Sequence, residues 1–146
     1  MTNMICYFAH PYESIGTPEE TEIINELESR GLTVINPFDG EDKMMQEKYG
    51  VDNYYPDPPF KLGVEIWAQD LRRVAEANML LVHVPEGTRL SGGCGIEMFH
   101  AWQLKKYIQI ISISKHPAFA YVMAHSNAQM FTSIEEWRKF RELRWK

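Results

Sequence analysis

Short apolar runs alternate with amphipathic stretches along the whole chain. Met4 to Ala9 is a compact apolar run containing Ile5, Tyr7 and Phe8, the pattern of a buried strand. After a loop with His10, Pro11 and Gly16, the run Thr17-Pro18-Glu19-Glu20 predicts a helix start. Thr17 can cap the exposed N–H groups, Pro18 loses nothing at the first helical position, and Glu20 can close a capping box. Ile23, Ile24 and Leu27 give this helix one apolar stripe, and Gly31 is a natural left-handed stop. Leu32 to Asn36 reads as the next strand, ended by Pro37.

Residues 39–60 fit no periodic template and read as an irregular insertion. They hold Gly40, Gly50, Pro56, Pro58 and Pro59 with Tyr49, Tyr54, Tyr55 and Phe60, and a short helix fits around Asp42 to Lys48. A stretch of this length in a compact domain is either a lid or a surface insertion packed by its own aromatics.

Helical periodicity returns from Gly63 to Asn78, with Ile66, Trp67, Leu71 and Val74 on one face. Met79 to Val84 is a strongly apolar strand closed by Pro85. A glycine-rich loop leads into a helix from about Gly95 to Lys106. Tyr107 to Ile113 reads as a strand, Pro117 to about Ser126 as a helix, and Gln129 to Thr132 as a short extended piece. Ser133-Ile134-Glu135-Glu136 is a second capping box, opening a last helix that carries Trp137, Phe140 and Leu143.

Apolar strands alternating with amphipathic helices predict one α/β domain over residues 1–146. It is a doubly wound three-layer sandwich with a parallel sheet of four or five strands, flavodoxin- or Rossmann-like. Ligands in such sheets bind beyond the C-terminal ends of the strands. The chemistry is therefore expected near Ala9-His10-Pro11, Asn36-Pro37-Phe38, Val84-Pro85-Glu86 and Ile113-Ser114.

Composition narrows the partners. The net charge of −5 over 146 residues implies no broad basic field, which argues against nucleic acid as the main partner. No run is long and apolar enough to span a membrane, and the N-terminal run lacks the basic flank of a signal peptide. Two cysteines, Cys6 and Cys94, are too few for a disulfide scaffold, and a reduced cytoplasmic setting is expected. The five histidines show no metal-ligand spacing, so neither metal nor redox cofactor is expected.

The densest chemical signal is Ser91-Gly92-Gly93-Cys94-Gly95-Ile96-Glu97, between a core strand and a helix. Glycines there bring backbone N–H groups close to a ligand. No Lys-Ser or Lys-Thr pair follows, so this is not a Walker loop. Glu97 reads as a first-turn glutamate, favoured by the helix field as an anion, and suits a nucleophile or a partner for a cation-like sugar. Asp70 lies mid-helix beside the apolar stripe, where it is either paired with an arginine such as Arg73 or turned to function. Glycosidic chemistry uses two carboxyl groups, one attacking and one moving the proton. Tyr7, near the end of its strand, is a core residue or an orienting hydroxyl for a carboxylate. His10 follows at the strand end, where an imidazole can hold a phosphate or assist proton transfer. Cys94 reads as a small lining residue rather than an attacking thiolate.

Together these residues resemble the nucleoside 2-deoxyribosyltransferase superfamily, which includes the nucleoside 5′-monophosphate N-glycosidases. The resemblance rests on Tyr7-Phe8-Ala9, on Gly31 through Asn36-Pro37-Phe38, on Asp70, on Ala75-Glu76-Ala77-Asn78, and on the glycine run into Glu97. It implies that Glu97 attacks the anomeric carbon, Asp70 handles the proton at the base, and Tyr7 steadies the nucleophile. It also implies a homodimer or larger assembly in which a neighbour's stretch Tyr121 to Gln129, with His125, completes each site. Transferases carry acidic residues ahead of the glycine in the nucleophile loop; Ser91 and Gly92 stand there instead, closer to the monophosphate hydrolases. The hydrolases' arginine- and glycine-rich loop after the first strand is absent. The 5′-phosphate would then fall to His10, Ser14 and Ser91 with the backbone of Gly93 and Gly95. Phe38, with Tyr54, Tyr55 and Trp67, is expected to frame the base. A base-exchanging deoxyribosyltransferase and a non-catalytic nucleotide-binding module are the alternatives.

Overall fold

The computed structural model describes residues 3–40, 47, 50, 60–125 and 127–140. Five strands form one parallel sheet: β1 (Met4–Ala9), β2 (Leu32–Ile35), β3 (Met79–Val84), β4 (Tyr107–Ser112) and β5 (Ala128–Phe131), in the order β2-β1-β3-β4-β5. The connecting helices are α1 (Pro18–Ser29), α2 (Phe60–Glu76), α3 (Gly92–Gln103), α4 (Pro117–His125) and α5 (Ile134–Lys139), with a 3₁₀ turn at Tyr12–Ser14. The doubly wound α/β sandwich expected from the sequence is the observed fold.

Side chains alternate across each strand, so the sheet has two separate cores. Tyr7, Ala9, Leu80, Val82, Ile108 and Ile110 face Val74 of α2, Met98 and Ala101 of α3, and Phe119 and Val122 of α4. Cys6, Phe8, Met79, Leu81 and Ile111 face Ile23 and Leu27 of α1 and Trp137 of α5. Buried Gln109 on β4 links this second core. Its amide donates to the Tyr107 hydroxyl at 3.0 Å, and its carbonyl accepts from the Trp137 indole at 2.8 Å.

β1 pairs with both β2 and β3, in the registers Cys6 to Val34 and Cys6 to Met79. The chain leaves β1 toward one edge of the sheet and leaves β3 toward the other. The crevice for a ligand in such a sheet lies where these directions diverge, beyond the ends of β1 and β3.

Several local expectations are corrected. Thr17 and Ser133 cap their helices, accepting from Glu20 and Glu136 N–H groups at 3.3 and 3.0 Å. Neither glutamate side chain returns to the cap. Glu20 accepts from the N–H of Gly16, and Glu136 from the N–H and hydroxyl of Thr132, each one residue earlier. Helix α2 begins at Phe60 rather than Gly63, and α3 begins at Gly92 rather than Gly95. Ser91 makes the latter possible: its hydroxyl accepts from Cys94 N–H at 3.1 Å, converting the glycine run into a capped first turn. Most of the insertion at 39–60, including Tyr49, Tyr54 and Tyr55, lies outside the described residues, as do residues 141–146.

Candidate active site

Three elements bring together the residues singled out for chemistry. Tyr7 points from β1 into the core shared with α2 and α3 and is fully buried. Its hydroxyl donates to Oε2 of Glu97, ninety residues away on α3. Glu97 is 5% exposed, and Asp70, on α2, is 7% exposed. Burial first, then the charges of Glu97 and Asp70, push the Tyr7 phenol far above the ordinary tyrosine value. Both carboxyl groups therefore act on one hydroxyl, and that hydroxyl stays a donor at any physiological pH.

Glu97 does not occupy the first turn of its helix. With α3 starting at Gly92 it sits one turn further in, and the first turn holds no acidic residue. The anion-favouring helix end is thus left to Ser91, Gly92 and Gly93, whereas Glu97 takes its donor from Tyr7. Of the two expected backbone contacts, Gly93 lies at the open end of α3. Gly95 lies inside the helix, and its N–H is taken by the Ser91 carbonyl at 3.0 Å. Cys94 is 3% exposed, and its thiol is pushed up to about 12, by burial first and then by Glu97; at neutral pH it is a thiol lining the site.

His10 and Ser14 are turned into the fold. His10 follows Phe8 by two and so falls on the opposite sheet face from Tyr7, where its ring stacks on Phe8 at 3.9 Å. Its Nδ1 meets the Phe8 carbonyl at 2.9 Å and its Nε2 meets Glu20 at 2.7 Å, so both ring nitrogens are engaged. Burial is the main cause of its lowered proton affinity. Burial alone would raise the Glu20 carboxyl, but the Gly16 N–H, His10 and Asn36 bring it below the ordinary value. Ser14 is buried and donates to the Pro11 carbonyl at 2.8 Å. These two residues tie α1 to the end of β1 and leave no polar atom for a phosphate. Phe38 is half-buried, edge-on to His10 at 5.0 Å and to Tyr12 at 6.0 Å. The side chain of His125 lies outside the described residues.

One contact escaped the sequence reading. A side chain at Gly93 would lie 3.3 Å from Cη2 and 3.5 Å from Cζ2 of Trp67. The indole of α2 thus packs on the bare backbone of the first turn of α3. The spacing held a signal: Trp67 precedes Asp70 by three and Gly93 precedes Glu97 by four, so each pair shares a helix face.

On the other face of the sheet, a cavity of about 410 Å³ opens at the ends of β3 and β4, lined by His83, Pro85, Glu86, Ser112 and Ser133 among others. None of Tyr7, Asp70 and Glu97 lines it. Among the described residues, no three His, Cys, Asp or Glu side chains converge to hold a metal ion, and no helix is long and apolar enough to cross a membrane.

No protein-family model matches the chain, and no curated protein matches it. Its fold does match solved structures. The 2-deoxyribosyltransferase of the psychrotolerant bacterium Bacillus psychrosaccharolyticus superposes with a TM-score of 0.68 at 14% identity, over 93% of this chain and 91% of that one. The CMP N-glycosidase of Clostridium botulinum superposes with a TM-score of 0.59 at 15% identity, over 92% and 95%. The two neighbours are enzymes, a deoxyribosyltransferase and an N-glycosidase. At these identities the likeness is one of fold.

Proposed function

We propose that this chain is an N-glycosidase that cleaves the N-glycosidic bond of a nucleoside or deoxynucleoside 5′-monophosphate through a covalent glycosyl-enzyme intermediate. The observation that carries this reading is the buried hydrogen bond from Tyr7 to Glu97, with Asp70 buried on the neighbouring helix and bearing on the same phenol. Structural neighbours acting on nucleoside or nucleotide substrates support it.

In this mechanism a Glu97 carboxylate oxygen attacks C1′ of the sugar. The bond from C1′ to the base nitrogen breaks, and Asp70 gives its proton to the departing base. Water then attacks C1′, returns a proton to Asp70 and frees Glu97. Two displacements at one carbon retain its configuration. The Tyr7 hydroxyl holds the attacking carboxylate in orientation and touches no substrate atom. The acid-free first turn of α3, with Ser91 and Gly92, is the positive helix end that receives the 5′-phosphate.

The second reading, base exchange between deoxynucleosides, is favoured by the higher TM-score against the transferase. It differs only in the second displacement, where a free base replaces water. Assembly as a homodimer belongs to both readings. Ile96 and Phe99 of α3 and Tyr121 of α4 are exposed together on the outer face of the site's own layer, where a second copy would bring its 121–129 stretch close.

Chromatography of a nucleotide and nucleoside panel, with and without an acceptor base, tests the proposal. Release of base from monophosphates alone supports the hydrolase, and exchange without phosphate dependence supports the transferase. Binding without base release leaves only a nucleotide-binding module. Glu97→Ala should abolish turnover in a folded protein, and full activity in that variant overturns the assignment.

A further inference from the structure

We infer that the contact between Trp67 and Gly93 is a spacer that sets the separation of the Asp70 and Glu97 carboxyl groups. Both are positioning residues, and this assignment rests on the proposed glycosidase reading.

The geometry runs from the helices inward. Trp67 and Asp70 are one turn apart on α2, and Gly93 and Glu97 are one turn apart on α3. The indole therefore meets Gly93 one turn from the place where the two acids act on Tyr7. A Cβ at 3.3 Å from Cη2 is tighter than ordinary van der Waals contact, so any side chain at 93 must displace the ring or the helix. The indole is half-buried, and the helices on either side of it are anchored. Val74 of α2 and Met98 of α3 are locked in the same core beyond the acids, so a wedge at Gly93 would tilt one helix about that anchor. The yield required is a few tenths of an ångström; since misplacing a reacting group by about 1 Å costs on the order of 10²-fold in rate, a shift of this size costs a few-fold.

Gly93 is also costly in its own right. Glycine disfavours a helix, so alanine at this position would help α3 if nothing opposed it. No other side chain would fit against the Trp67 ring in its present place.

The test is a double-mutant cycle on Gly93→Ala and Trp67→Phe, read in both thermal unfolding and steady-state kinetics. Phenylalanine lacks the atoms Cζ2 and Cη2 that the new methyl would meet. Gly93→Ala alone is expected to lower kcat about fourfold with a smaller change in KM. Combined with Trp67→Phe, it should leave kcat equal to that of the Trp67→Phe enzyme. Crystal structures of the wild type and of Gly93→Ala should differ in the separation of residues 70 and 97.

Two results overturn the inference. One is a Gly93→Ala enzyme that keeps wild-type kcat. The other is coupling between the two sites in unfolding temperature with no coupling in kcat, which makes the contact structural only. Failure of the underlying reading looks different: the wild type then releases no base from any substrate, while the coupling in unfolding temperature and the shift between residues 70 and 97 persist.

Discussion

Replacing Tyr7 with phenylalanine removes one oxygen from a fully buried ring and leaves the ring's packing intact. That oxygen is the donor to Glu97. A hydrogen bond to a charged group contributes about 1.5–3 kcal/mol, and a buried acceptor deprived of its donor loses an amount of this order. If the bond steadies the nucleophile in the transition state, the loss appears in kcat as a reduction of about 10- to 150-fold. KM should change little, because the hydroxyl does not contact substrate in the proposed mechanism. The assay is steady-state release of base by Tyr7→Phe and wild type over a range of substrate concentrations, with the unfolding temperature measured alongside. Unfolding should confirm a folded variant. Wild-type kcat in Tyr7→Phe, or a change confined to KM, refutes the role given to the phenol. A pH profile adds a second check. Because burial and the two acids keep the phenol protonated well above the ordinary tyrosine range, no ionisation of Tyr7 should appear in the wild-type alkaline limb near pH 10.

Asp70→Asn should lower activity most on substrates whose base is a poor leaving group and least on activated ones, which need little proton assistance; an equal loss on both denies Asp70 the acid role. His83 is held neutral by burial, its value pushed down to about 4. Its contribution to stability is complete above the unfolded value of 6.5 and is lost as pH falls from there toward 4, about 3 kcal/mol over that window. His83→Leu should flatten the acid limb of the stability curve, measured by denaturant unfolding between pH 7 and 4, and an unchanged limb refutes the assignment. Gln109→Leu strands the fully buried Trp137 N–H, so thermal unfolding should fall by several degrees, from a loss of about 1–3 kcal/mol.

The strands were legible because each is a short apolar run bracketed by a breaker: Gly31 before β2, Pro37 after it, Pro85 after β3. Parallel order followed from the helices between them. Asp70 was legible as a polar residue beside an apolar stripe, Glu97 from the glycine run ahead of it, and Tyr7 from its place near the end of β1. The contact of Tyr7 with Glu97 followed only from the family resemblance, because a hydrogen bond across ninety residues depends on sheet register and helix tilt. The start of α3 was misplaced for a physical reason. A run of three glycines in four residues reads as loop, yet the Ser91 cap outweighs their low helix propensity. The burial of His10 was not legible from its place at a strand end. The 3₁₀ turn at Tyr12–Ser14 instead folds the chain back and delivers Glu20 to the imidazole.

The two faces of the sheet treat buried ionisable groups differently, and this difference bears on the proposed division of roles. On the α1 face Glu20 is matched by a histidine, a backbone N–H and an amide, and Arg30 lies over the Trp137 ring at 4.7 Å while donating to the Arg138 carbonyl at 3.1 Å. Such complementary arrangements hold elements together. On the α3 face two buried carboxyl groups, Asp70 and Glu97, bear on one phenol. Taking carboxyl groups out of water opposes folding, so stability alone gives no reason to place both there. A phenol carries a single proton to donate, and it goes to Glu97. Glu97 is thereby fixed in direction by a buried donor. An attacking group benefits from fixed direction, and a group that gives and takes a proton within one turnover benefits from freedom to change charge. The hydrogen bond from Tyr7 thus fits the role proposed for Glu97, a nucleophile that keeps its charge and direction until it attacks C1′, and exchanging the two proposed roles would set the donor against the group that must ionise and reprotonate.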